Sequence, residues 1–305
     1  MNDLVKKLSG VTSSEILINE EMKNHTTFRV GGVADVFVTP GNIKEAAYIV
    51  RLLLTEGAKY TVIGNGSNLL VSDKGYRGCV VCMGKGTDTI TVNGSVITAG
   101  AGALLSKVAY TAYENSLTGL EFASGIPGSV GGAVVMNAGA YGGEMKMVIT
   151  SVKVLDTVTG QIRTLSNEEM KFSYRHSVIK EHPYVVLEAE FDLSSKDRKE
   201  IKQYMDELLV KRKEKQPLEY PSAGSTFKRP EGYFAGKLIE DSGLKGFGIG
   251  GAKVSEKHCG FVINESDATA ADILNLIKEV RTRVYDKFNV MLEPEVVLLG
   301  EDMIL

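Results

Sequence analysis

The chain has 305 residues, 43% of them hydrophobic and 24% charged, with a formal net charge of −3. That is enough for more than one packed core, and the charge balance gives no broad positive field to favour nucleic acid or an anionic membrane. The N-terminus lacks the apolar stretch of a secretory leader, no run of about 18 apolar residues could span a bilayer, and three cysteines make no disulfide framework, so a cytoplasmic protein is expected.

Residues 1–24 hold one short helix. The segment HTTFRVGG (His25 to Gly32) leads into an alternating strand, Ala34 to Thr39, closed by Pro40-Gly41. From Asn42 to Glu56 the apolar set Ile43, Ala46, Ala47, Val50, Leu53 and Leu54 has helical spacing, with Asn42 as N-cap. Tyr60 to Ile63 is then a short buried strand, and the βαβ order predicts a small open sheet with a covering helix. GNGSNLLVSD (Gly64 to Asp73) follows directly. It is a polar turn at the carboxyl end of a strand, where open α/β sheets place ligands and successive amides form an anion nest. Leu69 stands where a dinucleotide fingerprint needs its third glycine, and the Lys-Ser/Thr of a P-loop is absent. A phosphate-contacting turn of another kind and a plain turn both stay open.

Cys79 and Cys82 have C-x-x-C spacing, but on a strand residues three apart point to opposite faces. No second pair completes a zinc set, and Cys259 beside His258 is only a partial one, so core or edge-strand thiols and no metal are expected. Thr89 to Val92 and Val96 to Ala99 form a hairpin around Asn93-Gly94. Gly100 to Leu117 reads as a helix with Leu104, Leu105, Val108, Ala109 and Ala112 inward.

The chain is organised around Ser124 to Gly143, SGIPGSVGGAVVMNAGAYGG, with seven glycines in twenty positions and no charged side chain. Glycine at that density marks backbone that must pass close to something, and surface turns are usually richer in Asp, Asn, Ser and Lys. The expectation is a cradle of amides for a large polar ligand carrying phosphates, with Ala133 to Met136 as a short buried element. Val152 to Leu155 and Gln161 to Leu165 make a second hairpin, and Val185 to Leu193 a strand. A charged helix, Ser195 to Lys215, carries Ile201, Tyr204, Met205, Leu208 and Leu209 on one face, and its run KRKEK reads as a solvated face. The last part has core candidates in Ala235 to Ile239, Gly260 to Ile263, the helix Ala268 to Phe288 and the strand Glu295 to Gly300.

Three polar stretches are left over by packing. FSYRHS places Arg175 among aromatic and hydroxyl residues, fit to clamp a carboxylate or to pair with a structural acid. PSAGSTFKRP presents Ser225 on a glycine-containing turn near Lys228 and Arg229; with no strand leading in, it is not a nucleophile elbow. LEPEV puts Glu293 and Glu295 on one face if extended, and a glutamate in an apolar pocket has its pKa raised. Spacing alone does not choose between the two.

The motifs TFRVGG, GNGSNLLVSD, GIPGSVGGAVVMNAGAYG, YRHS, GSTFKRP, AGKLIEDSGLKG, GGAKVSEKHCGFVIN and LEPEV stand in one order over residues 25 to 301. Together they resemble the UDP-N-acetylenolpyruvoylglucosamine reductase family of bacterial peptidoglycan synthesis. The resemblance implies an α+β chain: a vanillyl-alcohol-oxidase (PCMH) type FAD-binding fold in two subdomains over 25–193, split near 75–80, then a C-terminal substrate-binding domain over 194–305. It implies FAD as cofactor and NADPH as co-substrate. Gly64, Asn65, Gly66, Ser67, Asn68, Gly125, Ile126, Gly128, Ser129, Gly131, Gly132, Asn137, Ala138 and Gly139 would hold the flavin dinucleotide. Arg175 and Glu295 would stabilise the enediolate formed when hydride reaches the enolpyruvyl group, and Ser225 would deliver the proton. Tyr174, Lys228 and Arg229 would contact a small-molecule nucleotide-sugar substrate, with no obligate protein partner evident. YRHSVIKEHPYVV runs into its strand without an insert, and Arg229 replaces an Asn, which resembles the shorter branch lacking a tyrosine-bearing loop. Another FAD oxidoreductase of the same fold and a non-catalytic flavin-binding module are the alternatives.

Overall fold

The computed structural model describes residues 2–10 and 13–305; residues 1, 11 and 12 of the expected N-terminal segment lie outside the described residues. In chain order come α1 (Asn2–Leu8), β1 (Glu15–Glu21), β2 (Val33–Thr39), α2 (Ile43–Thr55), β3 (Tyr60–Ile63), β4 (Leu69–Val71), β5 (Tyr76–Cys82), β6 (Ile90–Asn93), β7 (Val96–Gly100), α3 (Leu105–Glu114) and β8 (Leu117–Thr118). The glycine-rich stretch forms α4 (Val130–Val135), β9 (Gly139–Ala140) and β10 (Gly143–Glu144). Then follow β11 (Ile149–Asp156), β12 (Ile162–Ser166), β13 (Tyr184–Asp192), β14 (Ser194–Ser195), α5 (Arg198–Lys215), α6 (Ala235–Asp241), β15 (Gly248–Ile249), β16 (Ala252–Val254), β17 (Val262–Asn264), α7 (Ala270–Phe288) and β18 (Val297–Leu299).

The chain packs into two compact units of interleaved sequence. The first takes the residues up to Ile18, Val36–Asn65 and Gly78–Arg212; the second takes Asn19–Asp35, Gly66–Arg77 and Lys213–Leu305.

In the first unit β3 runs parallel to β5, pairing Tyr60 with Cys79 and Ile63 with Cys82, within a sheet ordered β1-β2-β5-β3. The helix between, α2, buries Ala46, Ala47, Ile49, Val50 and Leu53, and its N-cap Asn42 accepts from the Glu45 amide at 2.9 Å, as the cap residue predicts; Leu54, expected inward, is exposed. β1 has no buried residue, which is why no hydrophobic pattern announces it; a sheet partner supplies what its sequence does not. A five-stranded antiparallel sheet, β12-β11-β13-β7-β6, carries the larger core. The helix expected from Gly100 begins only at Leu105. The amides of Ala101 and Gly102 donate instead to the carbonyls of Leu187 and Thr87, at 2.9 and 3.0 Å, and hold that segment as a turn. Leu104, expected inward, is therefore the N-cap and 42% exposed. On α5, Ile201, Met205 and Leu208 are buried, whereas Tyr204 and Leu209, expected on the same face, are exposed.

In the second unit α7 buries Ile273, Leu276, Ile277, Val280 and Val284 completely and opens with a Thr269/Asp272 capping box. β18 pairs parallel with β4, and the sheet β15-β16-β17 is antiparallel. Asp73, the last residue of GNGSNLLVSD, accepts from the amides of Ala270 and Ala271 at 2.8 and 2.9 Å, so the end of that motif caps a helix.

Candidate active site

The first unit contains a cavity of about 530 Å³, a size suited to a small molecule or part of a cofactor. Gly64, Ser129, Gly131 and Gly132 line one part of it, and Val62, Met83, Val135, Ile179 and Val186 make apolar wall. The glycines are spatial requirements: a Cβ at Gly64 would collide with Ser129 Oγ, and one at Gly131 would stand 3.1 Å from the Ala101 Cβ. Ser129 caps α4, and Gly128 accepts from the Leu105 amide at 2.9 Å, so the turn into α4 is fixed from outside the cavity. Asn65 Nδ2 donates to the Pro127 carbonyl at 2.6 Å and joins the first glycine turn to the second. Ile126 is half-buried, its amide donating to Ala123. Backbone that passes this close, beside apolar wall, fits a flat heteroaromatic ring joined to phosphates. It fits FAD.

Asn137 is buried and left-handed, with φ +42°. Its Nδ2 donates to Glu144 Oε2 and to the Ser173 carbonyl, both at 3.1 Å, and its Oδ1 accepts from the Lys146 amide at 2.9 Å. That side chain is fully employed inside the protein, leaving backbone as what this stretch can offer a ligand. Ala138 and Gly139 continue into the β9–β10 hairpin, where Met145 donates to the Ala138 carbonyl. Ser173 and His176 bond each other reciprocally at 3.1 Å, making Tyr174 and Arg175 the centre of a tight turn. Arg175 has φ +53°, the conformation that the second central position of a tight turn normally reserves for glycine. Its guanidinium lies 5.2 Å from the centroid of the exposed Tyr174 ring. The buried Ser177 hydroxyl donates to the Val135 carbonyl at 2.9 Å, tying the turn to the end of α4.

The second unit carries the other chemistry-bearing residues. Phe227 bridges Pro294 in antiparallel fashion, Glu295 donates its amide to Thr226, and Lys228 donates its amide to Glu293, both at 2.8 Å. GSTFK and LEPEV therefore form a short two-stranded ladder, bringing Ser225, Lys228 and Glu295 into one small region. Asn68 holds this ladder from the side: its Nδ2 donates to the Glu295 carbonyl at 3.1 Å, and its own carbonyl accepts from Val297 at 2.9 Å. Gly66, left-handed at φ +60°, approaches the His25 carbonyl too closely for any Cβ. Ser67 is half-buried in the same turn. The two glutamates left open by spacing differ here. Glu293 is exposed and pairs with Lys228 Nζ at 2.9 Å, which holds its carboxyl below the usual range, whereas Glu295 is half-buried. The guanidinium of Arg229 stacks 4.1 Å over the Phe234 ring.

Among the described residues no cluster of His, Cys, Asp and Glu could hold a metal ion, and no helix is long and apolar enough to cross a membrane. Cys79, Cys82 and Cys259 are free; burial pushes the Cys79 and Cys82 thiols up to about 12 and about 11.

Two family models match the chain: the FAD binding domain over residues 34–166 and the C-terminal domain of UDP-N-acetylenolpyruvoylglucosamine reductase over 216–299. Proteins named UDP-N-acetylenolpyruvoylglucosamine reductase from Agathobacter rectalis and Caldanaerobacter subterraneus subsp. tengcongensis are 56% and 54% identical to it, the former over 94% and the latter over 98% of both chains. The chain belongs to the UDP-N-acetylenolpyruvoylglucosamine reductase family. The crystal structure of the Thermus caldophilus reductase, 36% identical, superposes over 94% of this chain and 99% of its own with a TM-score of 0.79. As a member of this reductase family the chain is an FAD-dependent oxidoreductase of peptidoglycan precursor synthesis, with the α+β FAD-binding fold expected from the sequence.

Sequence reading missed two features of this reductase. One is the cavity wall from Thr157 and Pro183 to Val186, ordinary strand-end residues that only the fold brings to the glycine turns. The other is Arg212. The run KRKEK reads as solvated, yet Arg212 is half-buried against Gly125, while its neighbours Lys211, Lys213, Glu214 and Lys215 are exposed.

Proposed function

We propose that the chain catalyses NADPH-dependent reduction of UDP-N-acetylglucosamine enolpyruvate to UDP-N-acetylmuramate, in the cytoplasm and without nucleic acid, membrane or an obligate protein partner. Residues 25–193 serve as its flavin-binding part and 194–305 as its substrate-binding part. FAD, when bound there, would supply the redox chemistry that carries a hydride from NADPH to the terminal vinyl carbon of the substrate. The amides of the Gly64–Asn68 turn and the Gly125–Gly139 stretch hold the dinucleotide. Reduction leaves negative charge on the carboxylate-bearing carbon and its carboxylate, and stabilising that charge is the protein's main task. Arg175 pairs with the charge, Glu295 assists it, and the Ser225 hydroxyl gives its proton to the carbon. A serine is a weak acid, so this transfer needs a strongly basic intermediate in a water-excluded site. Tyr174, Lys228 and Arg229 contact the nucleotide sugar.

The observation that carries this reading is the backbone of Arg175. Left-handed geometry costs a non-glycine residue on the order of 1 kcal/mol or more, and such strain collects where a side chain is needed in one place. Flavin absorbance under anaerobic stopped flow tests the reading. NADPH should bleach the holoenzyme, and the enolpyruvyl substrate should restore the oxidised band; Ser225→Ala should bleach normally and fail to reoxidise productively. A protein that bleaches yet ignores the substrate overturns the assignment.

A further inference from the structure

Arg212 stands near the end of α5, and its side chain runs along the backbone at the start of the glycine-rich stretch. A Cβ on Gly125 would stand 3.0 Å from Arg212 Cδ and 3.2 Å from Nη1. Gly125 does not have a positive φ, so glycine is required there for space and not for conformation. The guanidinium thus lies along the start of Ser124 to Gly143, and burial pulls its pKa below the usual arginine value.

Among the described residues Arg212 has neither a hydrogen-bond acceptor nor an acidic partner. Its five donors are partly withdrawn from water, and a desolvated cation is unfavourable unless an anion meets it. A surface arginine would have its head in solvent. This one is laid over a glycine, beside backbone that already reads as a ligand cradle.

We propose that Arg212 is an anion-binding residue of the candidate active site, taking the paired oxygens of a carboxylate or phosphate on the ligand that lies over Ser124-Gly125. The assignment rests on the proposed reading of that stretch as the cradle. The planar fork suits such oxygen pairs in a way a lysine does not. Three ligands of the reaction carry them: FAD and NADPH through phosphates, and the nucleotide-sugar substrate through both groups.

The test uses the flavin-loaded protein with Arg212→Met, Arg212→Lys and Gly125→Ala. Calorimetric titration with NADP⁺ and with UDP-N-acetylglucosamine enolpyruvate gives two affinities, and fluorescence of released FAD gives the third. Loss of one charge-assisted pair should weaken one of the three by ~10–100-fold in Arg212→Met, and the arm that falls identifies the source of the anion. Gly125→Ala, which displaces the side chain, should weaken the same arm, and Arg212→Lys should be intermediate. The unliganded melting temperature of Arg212→Met should equal or exceed that of the parent, since an unpaired charge is removed. All three affinities within about two-fold of the parent, in Arg212→Met or in Arg212→Lys if the former does not fold, overturn the proposal. Failure of the reductase reading looks different: the parent ignores the enolpyruvyl substrate while Arg212→Met still loses an arm.

Discussion

The side-chain amide of Asn137 donates to the backbone carbonyl of Ser173 at 3.1 Å, fastening the glycine-rich stretch to the turn that carries Arg175. Asn137 also holds Glu144 and the Lys146 amide, so removing it breaks three part-buried hydrogen bonds at once. Asn137→Ala should lower stability by ~2–4 kcal/mol, from lost hydrogen bonds and from a left-handed φ that alanine tolerates less well than asparagine. The variant should also slow the substrate half-reaction more than the NADPH half-reaction, because the role proposed for Arg175 lies in the former. Thermal unfolding together with stopped-flow flavin absorbance measures both; equal slowing of the two half-reactions would argue against the link to the turn.

Arg175 offers a cleaner separation of strain from function. Both Arg175→Ala and Arg175→Gly delete the side chain and its contact with Tyr174, but only glycine is at ease at φ +53°. Arg175→Gly should therefore be the more stable of the two by ~1 kcal/mol, while both lose the substrate half-reaction. Paired denaturation curves check the first statement. If the alanine variant proves as stable as the glycine one, the turn stores no strain at this residue.

What was legible in the sequence was whatever declares itself locally. Asn42 capped its helix, the inward positions of α7 followed their spacing, and the glycine turns lay where backbone approaches something closely. What escaped depended on partners far along the chain. β1 carries no buried residue and exists through its sheet neighbour, and Leu104 is turned outward because Ala101 and Gly102 bond β13 and Thr87 in place of a helix. Asn137 looked like a ligand contact because its type can be one; only the positions of Glu144, Lys146 and Ser173 show its side chain already engaged. Arg212 vanished into a charge run whose other members are exposed.

The N-terminus of α7 should set part of the acid stability. Asp272 accepts from the Thr269 amide at 3.0 Å and the Gly251 amide at 3.4 Å; chiefly the Thr269 bond lowers its pKa from the usual 3.8. A depressed carboxyl contributes stability that is present above its unfolded value and lost as pH falls through the folded one. The contribution should therefore disappear below about pH 4. Asp272→Asn should flatten that limb of a melting-temperature profile, and Asp272→Ala should cost ~1 kcal/mol at neutral pH through the broken capping box. An unchanged acid limb in Asp272→Asn would assign the slope to other carboxyls.

Gly64 and Ser129 make the last relationship that decides something. A Cβ on residue 64 would overlap Ser129 Oγ and lie 3.2 Å from its Cβ, at the edge of the cavity where both residues stand. Ser129 is also the N-cap of α4, so it cannot simply turn away without releasing the Gly132 amide. Gly64→Ala should therefore push the two turns apart and reduce flavin retention by ~10-fold or more, a loss of about 1.4 kcal/mol in affinity. Ser129→Gly removes both colliding atoms while glycine remains an acceptable N-cap, at a cost of a few tenths of a kcal/mol. The double variant should recover most of the flavin lost by Gly64→Ala alone. Flavin-to-protein absorbance ratios after extended dialysis measure this, and a double variant as flavin-poor as the single would mean that Gly64 is needed for direct approach to the dinucleotide and not for its clearance from Ser129.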